Sequence, residues 1–268
     1  MDPDLTLEYE SFEERHWWSV ARRDIIHAML DRYVPGAAAG KGRWLDVGCG
    51  TGAVLGYYTG FAERIGAELD PGSVERGRAK GRDIRPTRPN WDFTEFGLFD
   101  CASMFDVLEH VEHEGPAVDA VYRVLKDDGI LLVTVPALMS LWSDHDVVAH
   151  HFRRYRAREL LKRFPSDQWE ALKVSYFSTM LFTPIWAARQ WNRLKKRVSR
   201  KAAAQPPRHD IRFGNAFVDR MLENIFRFEK TLLKRVSLPI GSSVLLILRK
   251  KPSGTALNHG PLKSPEVT

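Results

Sequence analysis

Three glycines at alternate positions, Gly48-x-Gly50-x-Gly52, are the residues of this chain best suited to cradling a ligand against the backbone. Glycine adopts the positive φ of a tight turn and presents no side chain to a ligand lying on the main chain. Two carboxylates flank them. Asp46 precedes the turn, where it can meet a cationic group, and Glu68 follows sixteen residues after Gly52, at the end of the apolar run Ile65-Gly66-Ala67. That is the place for a carboxylate accepting hydrogen bonds from ribose hydroxyls. No Lys-Ser/Thr follows the glycines, which argues against a P-loop, and the spacing departs from G-x-G-x-x-G.

A second set of chemical groups is Asp106-Val107-Leu108-Glu109-His110. On a helix starting at 106, residues 106, 109 and 110 share one face. Two carboxylates and an imidazole there can hold a hard cation such as Mg²⁺, move a substrate proton, or simply line a pocket. Further on come Trp142-Ser143-Asp144-His145-Asp146 and His150-His151-Phe152-Arg153-Arg154-Tyr155. These histidines, His145 among them, are candidate general bases near a polar or anionic substrate group; the alternative is a capped loop with satisfied side chains.

Alternating elements must position these groups. The apolar pattern predicts a helix over 5–33, a strand at 43–47, a helix at 52–62, a strand at 64–68 and a helix at 71–80. A weak third strand falls near 83–85, a fourth at 99–105, a helix at 114–126 and a fifth strand at 130–135 after the turn Asp127-Asp128-Gly129. Then follow a helix at 157–163, a strand at 171–176, helical patterning over 178–201 and 215–236, and an apolar last strand at 242–248. Alternation of this kind predicts an α/β fold with a doubly wound sheet.

The run Trp44-Leu45-Asp46-Val47-Gly48-Cys49-Gly50-Thr51-Gly52 resembles motif I of class I S-adenosylmethionine (SAM)-dependent methyltransferases. Phe99-Asp100, Val107-Leu108-Glu109-His110-Val111 and Arg123-Val124-Leu125-Lys126-Asp127-Asp128-Gly129 are similar to that family's sequence in the corresponding places. The resemblance covers about residues 12–176 and is closest to bacterial enzymes of the ubiquinone-biosynthesis O-methyltransferase kind. It implies a Rossmann-like seven-stranded sheet with the last strand antiparallel and a SAM-binding core (36–177); the patterning adds an N-terminal helical cover (1–35), a helical insertion or lid (178–240) where such enzymes usually have a short hairpin, and a final core strand (241–251). The polar composition of 252–268 predicts a disordered tail.

The resemblance also implies site residues. Asp46, Gly48, Cys49, Gly50 and Gly52 would form the cofactor turn, Glu68 with Leu69 would hold the ribose side, and Phe105 and Asp106 would lie against the cofactor. Arg22 resembles a helix arginine that contacts the cofactor carboxylate. Glu109, His110 and His145 are the catalytic candidates, and Asp106, Glu109 and His110 a candidate Mg²⁺ site, since the related enzymes are thought to bind metal through Glu-x-x-Glu-His. The adenine contact falls in 81–98, with Asn90 and Asp92 as candidates.

The net charge of +6 is unevenly placed: nine Lys/Arg against the single acid Asp210 lie between Arg189 and Arg212. This block, following Leu181, Ile185, Trp186 and Trp191, suits an anionic membrane surface or lipid-facing lid, or else an ordinary helix with a solvated face. The expected acceptor is a small lipophilic or lipid-linked molecule methylated on oxygen. Rival readings are a 2′-O-methyltransferase of RNA and a non-catalytic binding protein of the same fold; no RNA-binding module is recognisable, so nucleic acid is disfavoured. Two cysteines at no disulfide-like spacing and an acidic N-terminus without an apolar segment predict a cytoplasmic chain, peripheral at the membrane at most.

Overall fold

The computed structural model describes residues 13–198 and 216–252. Seven strands form one sheet in the order β3-β2-β1-β4-β5-β7-β6. They are β1 (Arg43–Val47), β2 (Glu63–Glu68), β3 (Ile84–Pro86), β4 (Phe99–Phe105), β5 (Leu125–Pro136), β6 (Trp169–Phe177) and β7 (Ser243–Lys250). β1 to β5 pair in parallel, and β7 runs antiparallel between β5 and β6. The weak third strand exists, at the sheet edge. The Asp127-Asp128-Gly129 turn is absorbed into β5, where the pairing with β4 slips between Phe99 and Cys101.

Burial on both faces accounts for the nearly continuous apolar strands. Along β1, Trp44 joins one core and Leu45 the other. On the Leu45 face, helix α4 (Gly115–Val124) seats Ala117, Val118 and Val121; on the Trp44 face, helix α1 (Trp17–Tyr33) seats Ile25, Ile26, Met29 and Leu30. α1 starts where the His16 side chain accepts from Trp18 N, so the expected 5–33 helix is interrupted at His16, with residues 13–15 helical before it; residues 1–12 lie outside the described ones.

Short helices α2 (Ala53–Gly56) and α3 (Pro71–Ala79) follow β1 and β2. Asp70 caps α3, accepting from Ser73 N at 2.8 Å with Pro71 in the first turn. Helices α5 (Asp144–Val148) and α6 (Ala157–Leu161) lie between β5 and β6. The chain between β6 and β7 carries α7 (Phe182–Val198) and α8 (Ala216–Leu233). α8 packs on α1, with Trp17 and Phe226 rings edge-to-face at 5.7 Å. Buried Glu229 of α8 accepts from the backbone of Thr179 and Met180, fixing the approach to α7.

Segment 106–110 departs from expectation. It is not an α-helix: Asp106 takes a left-handed φ of 56°, and only a 3₁₀ turn, Leu108–His110, follows. Asp106 N still donates to Thr134 O at 2.8 Å, its carboxylate reaches back to Arg22, and Val107 tucks beneath Gly48. These three attachments outweigh continuation as a helix.

No described helix is long and apolar enough to cross a membrane. Cys49 and Cys101 are free thiols. The proposed disordered tail falls almost wholly on residues outside the described ones.

Candidate active site

The parallel strands end on one edge of the sheet, and there a cavity of about 1080 Å³ opens, lined by Gly48 after β1, Glu68 ending β2, Phe105 ending β4 and Pro136 ending β5. Strand order reverses between β1 and β4, the switch point at which α/β folds bind ligands. The volume stands at the top of the roughly 300–1,000 Å³ range of small-molecule sites, which leaves room for two ligands side by side.

The glycine turn makes one wall. Gly48, Gly50 and Gly52 all have positive φ (67°, 57° and 75°). A Cβ on Gly48 would come 2.7 Å from Val107, and one on Gly52 2.9 Å from Ile84, so these two glycines make room for protein. Only at Gly50 is the space open, with the nearest atoms the Glu13 carboxylate at 3.7 Å. The Glu68 carboxylate accepts from Gly50 N at 2.7 Å, Leu69 N at 2.8 Å and Asp70 N at 2.9 Å, which locks it at the cavity wall and still leaves it acceptor capacity.

Arg22 crosses from α1. Its Nη2 lies 2.7 Å from Asp106 Oδ2 and donates to Thr134 Oγ1 at 3.0 Å, while its buried Nε has no hydrogen-bond partner. Thr87 Oγ1, after β3, is likewise buried without a partner. Both residues line the cavity. Orphaned polar atoms of this kind favour a ligand that completes them.

Of the residues expected at the cofactor, Arg22, Gly48, Gly50, Glu68, Leu69, Phe105 and Asp106 line the cavity; Asp46, Cys49 and Gly52 lie behind its wall. Asp46 is buried, accepts from Ser103 Oγ at 2.6 Å, and has its pKa pushed up to about 7 by that burial, against the pull of the Ser103 bond. Cys49 packs over Gly66, and burial, with Asp46 near, pushes its thiol well above the usual range. Asn90 and Asp92 are not at the cavity; they spend their oxygens on the loop itself, on Asp92 N and Thr94. Thr87 and Trp91 line the wall there instead, Trp91 at a left-handed φ of 56° that is rare for a bulky residue. Nothing in the sequence of this loop distinguishes them.

A polar corner contains Glu109, His110, His145, His151 and Arg154. The clustered residues after β5 build it. Phe152 N donates to Glu109 O at 2.8 Å, Tyr155 OH to Leu108 O at 3.0 Å, and Arg153 to Glu112 O at 2.8 Å, clamping the 151–155 segment onto the turn after β4. Asp146 holds Arg154 (2.6 and 3.0 Å) and His151 Nδ1 (3.0 Å). Burial alone would raise its pKa; the bonds from His151, Arg154 and Ser143 N outweigh that and hold the carboxyl well below the usual range. Glu109 is fully buried, and desolvation, with Asp106 nearby, pushes its pKa well up. His110 is exposed at the cavity, and the desolvation it does suffer, with His151 near, lowers its pKa to about 4. The His110 and His151 rings meet edge-to-face at 4.6 Å.

The Mg²⁺ trio of Asp106, Glu109 and His110 is not assembled. Asp106 spends its oxygens on Arg22 and Thr134, and His151 stands with Glu109 and His110 in its place. Two imidazoles and one carboxylate do not suit a hard, oxygen-seeking cation.

Leu181, just before α7, and Pro184, Ile185 and Ala188 of α7 cover part of the cavity. The basic block is partly structural. Arg189 donates to Leu141 O, Gln190 to Ser140 O at 3.0 Å and Arg193 to Trp142 O at 2.9 Å, docking α7 on the turn after β5. Arg200, Lys201, Arg208 and Arg212 lie outside the described residues.

Residues 14–180 match a family model described as a methyltransferase domain. A probable S-adenosylmethionine-dependent methyltransferase of Mycolicibacterium smegmatis is 26% identical over an alignment of 167 residues that covers 59% of this chain. This chain spans only 61% of that relative's length. Among solved structures, a SAM-dependent methyltransferase of Archaeoglobus fulgidus superposes with a TM-score of 0.53 at 18% identity, over 90% of this chain and 99% of that one. One from Mesorhizobium loti gives 0.50 at 16%, over 82% and 95%. At these identities the structures show the shared fold alone.

Proposed function

This chain belongs to the methyltransferase-domain family, and we propose that it transfers a methyl group from S-adenosylmethionine to an oxygen of a small lipophilic or lipid-linked acceptor. One observation carries the reading: a single cavity joins a glycine-and-carboxylate cradle to an apolar cover that meets a histidine-rich corner. The cradle fits the cofactor. Arg22, with a spare buried Nε, is suited to its carboxylate, Gly50 leaves the main chain accessible, and Glu68 is suited to ribose hydroxyls.

When bound, the cofactor supplies an electrophilic methyl on a positively charged sulfur, so the protein's work is alignment and exclusion of water. Leu181, Pro184, Ile185 and Ala188 give the acceptor an apolar bed. Its hydroxyl must shed a proton, and the corner of His110, His145 and His151 is where nitrogen groups face the cavity. Glu109 is wholly buried, and that desolvation pushes its pKa well up, which makes it a weaker candidate than the histidines to hold the departing proton. Trp186, Trp191 and Leu194 of α7 are exposed, with Lys195 over the Trp191 ring at 5.4 Å, an outer surface suited to a peripheral lipid contact.

The test is transfer of radiolabelled methyl from S-adenosylmethionine into an extract of source cells, partitioned into lipid, nucleic-acid and polar fractions. Label in the lipid fraction is expected; label confined to RNA would replace the acceptor with nucleic acid.

A further inference from the structure

We propose that Glu13, on the segment leading into α1, receives the α-ammonium group of the cofactor's amino-acid part, so that the N-terminal cover grips this zwitterion at both charged ends. This role deepens the S-adenosylmethionine reading and rests on it. Glu13 lines the cavity, and both of its carboxylate oxygens lie 3.7 Å from the point where a Cβ on Gly50 would stand. Gly50 is where the glycine turn leaves its main chain open, so this carboxylate borders the face of the turn that a ligand must meet.

The segment is strapped down on both sides of the Glu13 side chain. Arg23 donates to Glu13 O at 3.4 Å, and its guanidinium lies 4.0 Å over the Tyr57 ring. The neighbouring Glu14 accepts from Lys80 at 2.7 Å and from Arg82 at 3.2 Å, which ties the segment to the chain between α3 and β3. Two adjacent glutamates thus divide the work: Glu14 anchors, and Glu13 borders the cavity.

The turn beneath Glu13 is acidic. Glu68 stands at the cavity wall with Asp46 behind it; burial drives the Asp46 pKa up, and the charges of Glu68 and Glu13 add to that rise. Such a field favours a cation. The cofactor's amino-acid part brings an ammonium together with a carboxylate, and for the carboxylate Arg22 keeps its buried Nε. Glu13 and Arg22, nine residues apart on one cover, therefore carry the two charges that complement this group. Thr51, next to Gly50, also lines the cavity; it is 2% exposed and its hydroxyl has no partner, a further polar atom that a ligand on this turn would complete.

The experiment is calorimetry on the full chain, wild type against Glu13→Gln. Three ligands are titrated: S-adenosylmethionine, S-adenosylhomocysteine, and S-adenosylhomocysteine lacking its amino group. The last keeps the adenosine, the sulfur and the carboxylate. Glu13→Gln should weaken the first two about tenfold each, the low end for a charge-assisted bond because Glu13 is partly exposed. Both proteins should bind the deaminated ligand alike. Equal loss for all three ligands would assign Glu13 to the ribose or to the fold. Loss for S-adenosylmethionine alone would assign it to the sulfonium. Either result, or no loss at all, overturns the proposal and leaves the methyltransferase standing. Failure of the wild type to bind S-adenosylmethionine or its product would instead remove the cofactor reading, and Glu13 with it.

Discussion

The guanidinium of Arg22 lies 2.7 Å from the carboxylate of Asp106, and this pair latches helix α1 to the end of β4 across the mouth of the cavity. One guanidinium thereby links the cover to the sheet while keeping its Nε unspent. Arg22→Met should raise the dissociation constant for S-adenosylmethionine or its demethylated product by about 10- to 100-fold, the worth of a charge-assisted hydrogen bond. Calorimetry measures it, and unchanged affinity would remove Arg22 from the cofactor site.

Gly48 and Gly50 should separate stability from binding. Alanine at 48 drives a methyl into Val107, so Gly48→Ala should lower the melting temperature clearly. Gly50→Ala meets no protein within 3.7 Å and should cost only the strain of its left-handed backbone, about 1–2 kcal/mol, while weakening cofactor binding more than its partner variant does. The reverse ranking in thermal melts would show that Gly50 serves the turn alone.

Asp46 makes a pH prediction. Its folded pKa, pushed up to about 7 by burial, exceeds the ordinary aspartate value of 3.8, so the folded state holds this proton more tightly than the unfolded chain. That contribution is complete at low pH and is lost as pH rises through about 7. Asp46→Asn stays neutral throughout. The wild type should therefore lose stability relative to Asp46→Asn between about pH 4 and pH 7, at ~1.4 kcal/mol per pH unit across that window. Urea midpoints at the two pH values measure it, and a pH-independent gap between the proteins would mean an ordinary, ionised Asp46.

Tyr155→Phe should destabilise the fold by about 1–3 kcal/mol, because the one buried hydroxyl proton within reach of both Leu108 O and the Glu114 carboxylate is lost. The larger effect should fall on methyl transfer: with the clamp loosened, kcat should drop more than cofactor affinity. Equal loss in both would place Tyr155 in general packing.

Much of this was legible in advance because it is local. The glycine turn, Glu68 at the end of β2 and the alternation of strands and helices are short-range patterns, and each stands where the sequence puts it. Asp106–His110 was misread as a helix because its conformation is set by distant partners: Arg22, 84 residues earlier, and Thr134, 28 later. The same holds for His151, whose place beside Glu109 depends on a backbone bond spanning the whole of α4 and β5. Thr87 and Trp91 were missed for another reason: contacts with a ligand leave no periodicity.

β7 has an interior place in the sheet but comes last among the described strands, and it alone joins β6 to β5. During synthesis β5 must wait with one edge unpaired until residues 243–250 emerge, more than a hundred positions later. α8, which packs on α1, emerges only shortly before. The nascent chain can therefore build the cradle long before it can roof it, and for that interval its greasiest strands are a burden for the cell's holding chaperones.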